Sequence, residues 1–408
     1  MTQENKKTVA GISRREFVAG GAAAAASMLF IRPGLVGGAE AESKIKLGVI
    51  GCGNRGTWIA KLFVKNGVYD VVACADYFED RVKTFGEELG VPENKRFTGL
   101  SGYKKMLGEK LDAVAVISPP YFHPEHAAAV VDSGRHLYLA KPVAVDVPGC
   151  KSIAQVGKDA TAKKLCMLVD FQTRADEFFI EAIKRVHEGA IGKFAFGEAN
   201  YYCQSLLPQV EPDGSAEARL RNWVFDKSLS GDIITEQNIH TLDVAWWIMN
   251  KEPLYAVGTG GRKVRTNVGD CWDYFMAIFQ YPDDVAVTFN SRQFDGYGAS
   301  DGILNRMFGS EGVLETSYGG KVMIRGKHFY RGGESPGIYE EGAVSNIVTF
   351  RKNIAESKFD NPTVEPSVQS NLLTILGRTA AYKGEKIYWQ DILKSTERLD
   401  GKLDGLKA

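Results

Sequence analysis

The chain has no net charge to offer a partner: fifty basic residues balance fifty acidic ones over 408 positions. Such a balance supplies no overall field for nucleic acid or an anionic membrane, and no basic stripe or RNA-binding signature interrupts it. Paired cysteines are missing too. The six (Cys52, Cys74, Cys150, Cys166, Cys203 and Cys271) are scattered singly, with no C-x-x-C among them, which removes a zinc ribbon or a disulfide frame from consideration and leaves buried free thiols. His123 and His126 stand three apart, but no third Asp, Cys or His joins them at ligand spacing, so no metal is expected. No apolar run reaches the ~20 residues that span a bilayer, so no stable membrane anchor is expected. Low-complexity linkers and internal repeats are absent.

What is present is ordinary globular composition, 44% hydrophobic and 25% charged. A chain of this length exceeds what one core usually fills, so two domains are the expectation. Before them stands an address. Ser13-Arg14-Arg15-Glu16-Phe17 precedes the weakly apolar stretch Val18 to Ile31, and Ala39-Glu40-Ala41 has the spacing a signal peptidase accepts. The twin arginines resemble those of Tat signals, which export folded proteins, so residues 1–41 read as a signal peptide and the mature protein as periplasmic or otherwise exported. An amphipathic helix fits less well, because the alanines and glycines leave no polar face.

Lys44 to Ile50 alternates and then turns wholly apolar, as a buried parallel strand does, and Gly51-Cys52-Gly53-Asn54-Arg55-Gly56 follows at once. Trp58 to Val64 continues at helical period. A lone G-x-G-x-x-G says little; between a strand and a helix it has the context that dinucleotide binding requires. Gly51 permits the tight turn, Gly53 lets backbone approach a pyrophosphate, and Gly56 lets helix and strand pack closely. The strand Val71–Ala75 ends in Asp76, twenty positions after Gly56. A carboxylate there accepts ribose hydroxyls and repels a 2′-phosphate, which points to NAD; it would equally serve as a helix cap. Arg81, a turn later, is the residue that would tolerate NADP. Helices at about 79–89, 123–133 and 147–160 alternate with strands Asp112–Ile117 and His136–Ala140, the order of a doubly wound parallel sheet in an α/β fold.

Ser118-Pro119-Pro120-Tyr121-Phe122-His123 and Gly134-Arg135-His136-Leu137-Tyr138-Leu139-Ala140-Lys141-Pro142 resemble two motifs of the Gfo/Idh/MocA oxidoreductase family. Ile191-Gly192-Lys193, Ile239-His240-Thr241-Leu242-Asp243, Gly309-Ser310-Glu311-Gly312 and a closing helix near 366–383 carry the likeness across nearly all of the mature chain. Two positions depart. Ala140 replaces the glutamate of E-K-P, and Glu236 stands where the family has an aspartate four residues before its histidine. The resemblance implies an N-terminal Rossmann domain over 42–164. It also implies a C-terminal α/β domain over 165–408 built on a large, open, mostly antiparallel sheet, with the closing helix packed back on the first domain. A homodimer or homotetramer and a sugar or glycoside substrate follow from the family alone.

Hydride transfer from a carbinol carbon needs a group to take the hydroxyl proton and groups to hold the carbon in place. Lys141 follows the fifth strand's carboxyl end, where such sheets bind ligands, and Pro142 allows a cis bond behind it. Glu236 and His240 are spaced i, i+4 on a helix expected from about Thr235 to Met249, so both project from one face. His240 reads as general base, Lys141 as donor to the reacting oxygen, and Glu236 as the lysine's partner. Against this, a solvated lysine, a capping acid and a core histidine are the plainer roles for the same three. Asp243 is divided between orienting the imidazole and lying on the helix surface. The cofactor set is Gly51, Gly53, Asn54, Arg55, Gly56, Asp76, Arg81, Ser118, Pro119, His123 and Lys141, with Arg174 and Trp223 as sugar contacts. The leading function is an NAD(H)-dependent oxidoreductase acting on a sugar or cyclitol hydroxyl or ketone, its cofactor tightly held because an exported enzyme meets no soluble pool. An NAD-dependent glycosidase working through transient ring oxidation is the second reading, and a non-catalytic sugar-binding relative the third.

Overall fold

Burial on both faces accounts for the first strand. In the computed structural model, which describes residues 44–408, β1 (Ile45–Ile50) is partly open at its start and buried from Leu47 onward. Arg14, Arg15 and the Ala39–Ala41 stretch lie outside the described residues. β2 (Tyr69–Asp76), β3 (Arg96–Thr98), β4 (Ala113–Val116), β5 (His136–Ala140) and β6 (Met167–Asp170) join β1 in a parallel sheet of order β3-β2-β1-β4-β5-β6. The order reverses at β1 and β4, the switch point beyond whose carboxyl ends α/β sheets leave a crevice. Helices Glu79–Leu89, His123–Asp132 and Val147–Ala162 fall where the sequence placed them.

Two features of this sheet were not read correctly. β3 is three residues long, too short for any periodicity to register. β6 pairs with β5 from Leu137↔Met167 to Ala140↔Asp170, so the boundary expected at 164 falls inside the first sheet's own topology. Its four residues are all buried, and four apolar-rich residues bounded by a loop do not by themselves declare which sheet they join.

The second sheet has nine strands: β7 (Phe194–Cys203), β8 (Tyr255–Gly261), β9 (Tyr274–Gln280), β10 (Ala286–Gln293), β11 (Gly302–Gly309), β12 (Gly312–Ser317), β13 (Lys321–Gly326), β14 (Tyr330–Glu334) and β15 (Ile387–Tyr388). Their order is β14-β13-β12-β11-β7-β10-β9-β8-β15, antiparallel except where β7 meets β10. β9 and β10 alternate buried and exposed side chains, which marks one covered face. Phe275, Phe279 and Phe289 point into the core on that side, while Met276 and Ile278 stay exposed and Phe196 stacks on Phe308 at 4.5 Å.

The closing helix, Val364–Lys383, joins the two halves. Its apolar side chains Val368, Leu372 and Leu376 belong to a cluster that also takes in Val143, Ile153 and Phe279, so one core runs from the first sheet to the second. Gly157 allows the approach, since a Cβ there would meet Val364 at 2.7 Å. Asn371, fully buried, accepts from the Val143 and Ala144 N–H groups and donates to the Ala144 carbonyl. Arg378 donates to the carbonyls of Gly231 and Val145 at 2.7 and 2.8 Å. Backbone from both halves is therefore hydrogen-bonded to one helix. Among the described residues no helix is long and apolar enough to cross a membrane.

Replacing Asn371 by Leu keeps the number of side-chain heavy atoms but strands these backbone groups. We expect a loss of roughly 2–4 kcal/mol, the cost of two or three buried unsatisfied polar atoms, read as a lower urea midpoint with an unchanged m-value. A variant as stable as the parent would show that the turn finds other partners.

Candidate functional site

The glycine turn is shaped by contacts that leave no room for side chains. Gly51 has φ +98°, and a Cβ on it would lie 2.6 Å from Ile117 backbone; one on Gly56 would lie 1.8 Å from the Gly51 carbonyl. Gly53 differs. Its added Cβ would meet nothing but the tip of Arg81, at 3.1 Å, so the backbone here faces open space at the start of helix Asn54–Asn66. Open backbone at a helix N-terminus can hold a pyrophosphate, and the residues present fit a dinucleotide.

Beside the turn is a pocket whose lining includes Gly51, Asp76, Arg81, Ser118 and Pro119. Asp76 accepts from the Cys52 N–H at 2.7 Å and the Phe78 N–H at 3.0 Å, tying the end of β2 to the glycine turn and to the entry of the next helix. The Phe78 bond is to the residue before helix Glu79–Leu89, whose first turn takes no side-chain cap, so Asp76 does not cap that helix; each of its oxygens carries one backbone bond. Burial raises its pKa. Asn54 lies with Gly53 and Arg81 in a neighbouring groove. His123 does not enter the pocket lining. It is buried between the carbonyls of Ser118 and Pro142, 2.7 Å from each, with its pKa pushed down to about 4 by burial. It joins the Ser118-Pro119 turn to the turn that carries Lys141. His126 meets the Ser118 hydroxyl at 2.9 Å. Trp223, expected as a sugar contact, lies instead in the pocket with Asp76.

Lys141 follows β5, its bond to Pro142 is cis, and its ammonium donates to the backbone carbonyl of Glu236 at 2.6 Å, with the Glu236 carboxylate 3.4 Å away. That bond depends on a break in the expected helix. Residues 235–249 are not continuous: Ile233–Glu236 and Ile239–Met249 are separate helices, with Gln237 and Asn238 between them. In an unbroken helix the Glu236 carbonyl would accept from the His240 N–H; here that N–H turns to Gln237, at 3.5 Å, and the carbonyl is free for the lysine. Gln237 is drawn away by the second sheet, accepting from Gln293 at 2.7 Å and from Cys203. Glu236 and His240 are still brought together with Lys141, by a route the i, i+4 spacing did not foresee.

His240 is flanked by Phe171 and Tyr318, with ring centroids at 6.4 and 5.4 Å. Burial first, then the positive charges of Lys141 and Arg55, holds its pKa well below the usual value, so the imidazole is neutral. Its Nδ1 is buried without a partner among the described residues. Arg55 belongs to this cluster rather than to the pocket with Asp76. It pairs with Asp170 at 3.0 Å, and its guanidinium lies 4.4 Å from the Trp58 ring centre and 4.9 Å from that of Tyr339. Arg174 is committed elsewhere, donating three times to Asp243, which also accepts from Ser370. Asp243 is fully buried, so it neither orients the imidazole nor lies on the surface, and Arg174 is a structural ion pair, not a free sugar contact. Asp170 and Tyr318 were missed. Asp170 ends β6, whose place in the first sheet its four residues do not declare, and nothing around Tyr318, just past β12, signals its place.

Comparison with known proteins agrees with this geometry. Residues 45–168 match the family described as an oxidoreductase family with an NAD-binding Rossmann fold, and residues 179–315 match the GFO/IDH/MocA C-terminal domain. An inositol 2-dehydrogenase of Rhizobium meliloti is 24% identical over 56% of this chain and 62% of its own length. A glycosyl hydrolase family 109 protein of Shewanella pealeana is 24% identical over 57% of this chain and 47% of its own. The chain thus spans less than two thirds of these relatives. The crystal structure of myo-inositol 2-dehydrogenase from Lactobacillus plantarum shares the fold, with a TM-score of 0.67 at 21% identity over 85% of this chain and 99% of that one.

The two glycines should separate binding from folding. Gly53→Ala should unfold at the parent's temperature yet bind NADH at least ~10-fold more weakly, because its methyl occupies the open side of the turn. Gly56→Ala should lose roughly 1–3 kcal/mol of stability by overpacking. Thermal unfolding and fluorescence titration give both numbers, and unimpaired NADH binding by Gly53→Ala would take the pyrophosphate away from this turn.

Proposed function

As the chain belongs to the Gfo/Idh/MocA oxidoreductase family, with its NAD-binding Rossmann fold, we propose that it oxidises a ring hydroxyl of a sugar or cyclitol, or reduces the matching ketone, with NAD(H). The observation that carries this reading is the pairing of a fixed ammonium with a neutral imidazole at the open end of such a fold. Bound NAD⁺ supplies the hydride acceptor. The chain's own residues supply the rest. Lys141 donates an N–H to the substrate oxygen and stabilises the negative charge that grows there as the C–H bond breaks. The Glu236 carbonyl and carboxylate hold the ammonium in place, and the carboxylate keeps lone pairs that accept from a neighbouring hydroxyl. His240 takes the hydroxyl proton; its depressed pKa keeps it unprotonated down to acidic pH and lets it pass the proton to solvent easily. Phe171 and Tyr318 flank the imidazole that makes this transfer.

The likeness to a glycosyl hydrolase family 109 protein supports a second reading on the same residues, in which the ring is oxidised, the aglycone eliminated and the ring reduced again. Release of nitrophenol from an aryl glycoside without net NADH would select it; NADH formed in proportion to an oxidised sugar selects the first.

We further propose export through the twin-arginine route. Arg14-Arg15 and Ala39-x-Ala41 support it, with the mature chain starting at Glu42. Changing both arginines to lysine should retain the protein in the cytoplasm, whereas normal export of that variant, or a periplasmic protein that still begins at Met1, rejects the proposal.

Lys141→Met and His240→Ala should each bind NADH as the parent does while turnover falls ~10²-fold or more, the usual worth of a positioned acid or base. Because the His240 pKa is lowered, kcat/KM should hold steady as pH falls through 6.5 and decline below it, where the imidazole finally gains its proton. An acid limb centred at 6.5, or equal losses of nucleotide binding in the two variants, would remove His240 and Lys141 from these roles.

A further inference from the structure

The Rossmann fold makes most of the pocket beside Asp76, and two residues of its lining come from the later part of the chain. Leu220 and Trp223 line it together with Asp76 and Ser118, and Phe78, Leu100 and Phe122 complete an apolar slot. The segment around Trp223 is tied to the Rossmann edge at three places. The Tyr77 hydroxyl donates to Glu217 at 2.8 Å, Arg221 pairs with Asp80, and Arg81 donates to Gln209. Asn222, buried, holds the segment to itself by accepting from the Gln209 and Val210 N–H groups and donating to the Val210 carbonyl.

A second strand of chain lies over the first. Residues 395–408 form no helix or strand, yet they are pinned along their length. The Leu399 N–H donates to Asp146, Arg219 donates to the carbonyls of Gly401 and Lys402, and Lys407 accepts from the Leu100 N–H and donates to the Tyr77 hydroxyl. Leu403 and Leu406 pack on the cluster of Phe78, Phe122, Leu220 and Leu229 that backs the pocket wall.

We infer that residues 209–223 and 399–408 form a collar that closes the adenosine end of the cofactor and sets how slowly NAD(H) leaves. This rests on the reading of the glycine turn and Asp76 as a dinucleotide site. A flat purine suits an apolar slot with aromatic walls, and Asp76 at its edge marks where the adenosine ribose lies. Each collar contact is a surface pair or a short apolar contact of modest worth. They share one path, however: the slot opens when the segment carrying Trp223 lifts, and that segment lies under the tail. The collar touches none of Lys141, Glu236 and His240, so it acts on residence time. An exported enzyme that must carry its cofactor needs such a device.

The test measures NADH release from the full-length protein by loss of bound-NADH fluorescence on addition of excess NAD⁺, together with the nucleotide retained after dialysis. Deleting Asp400–Ala408 should speed release at least about tenfold, since affinity differences between related complexes fall mainly on the off-rate. The double variant Leu403→Asn/Leu406→Asn, which keeps the whole chain, should do the same and decides the matter if the deletion fails to fold. Trp223→Ala should also release quickly, and Trp223→Phe should restore slow release. Folded variants that all let go of NADH at the parent's rate overturn the collar. Failure of the parent itself to bind either NADH or NAD⁺ would instead overturn the dinucleotide site on which the collar depends.

Discussion

The ammonium of Lys141 is fixed by a backbone carbonyl, and much of the structure exists to present that carbonyl. A helix interior has no carbonyl to spare, so the chain interrupts the helix after Glu236 and gives the released oxygen to Lys141 at 2.6 Å. The interruption is held from both sides. Gln237 is drawn to Gln293 on β10, and Arg378 of the closing helix braces the Gly231 carbonyl just before the helix that ends in Glu236. The same closing helix, through Asn371, holds the turn that follows Lys141-Pro142. Donor and acceptor come from opposite halves of the chain, and one helix determines their spacing.

This arrangement also makes sense of Ala140. The family motif places a glutamate immediately before the lysine; here alanine stands in that position, and the lysine is steadied by the Glu236 carbonyl and carboxylate. A methylene more in Glu236 than in aspartate lets its carboxylate reach back while its backbone does the holding.

Charge in the cleft is paired throughout. Lys141 faces Glu236, Arg55 faces Asp170, and Arg174 faces Asp243, with Asp170 and Asp243 nearly or wholly buried. Buried pairs of this kind contribute little net stability, yet removing either partner leaves an uncompensated charge that is expensive to keep. Their effect on chemistry is larger. Although Lys141 and Arg55 each have an acidic partner, the imidazole of His240 feels burial first and then these two cations, and it stays neutral. A neutral base beside a fixed ammonium suits a substrate whose reacting group is an uncharged hydroxyl.

Local chemistry was legible in the sequence wherever a residue's role is settled by its near neighbours in the chain. Gly51 needs a positive φ, Gly56 sits under a carbonyl, and Asp76 ends its strand; all three follow from spacing between a strand and a helix, and the structure places them accordingly. Strand alternation and helix lengths declared most of the first sheet for the same reason, whereas the second sheet was expected only from the family resemblance. Motif and position also singled out Lys141, Glu236 and His240, and the structure brings Lys141 against Glu236. The carbonyl that holds Lys141 was not legible, nor were the commitment of Arg174 to Asp243, the place of Arg55 beside Asp170, or the arrival of Trp223 in the pocket with Asp76. The polar pairings among these join residues 69 to 115 positions apart, and each long charged side chain has several partners of opposite charge to choose among. Only the packing of the two sheets against one helix selects between them, because that packing decides which distant groups come within about 3 Å of each other.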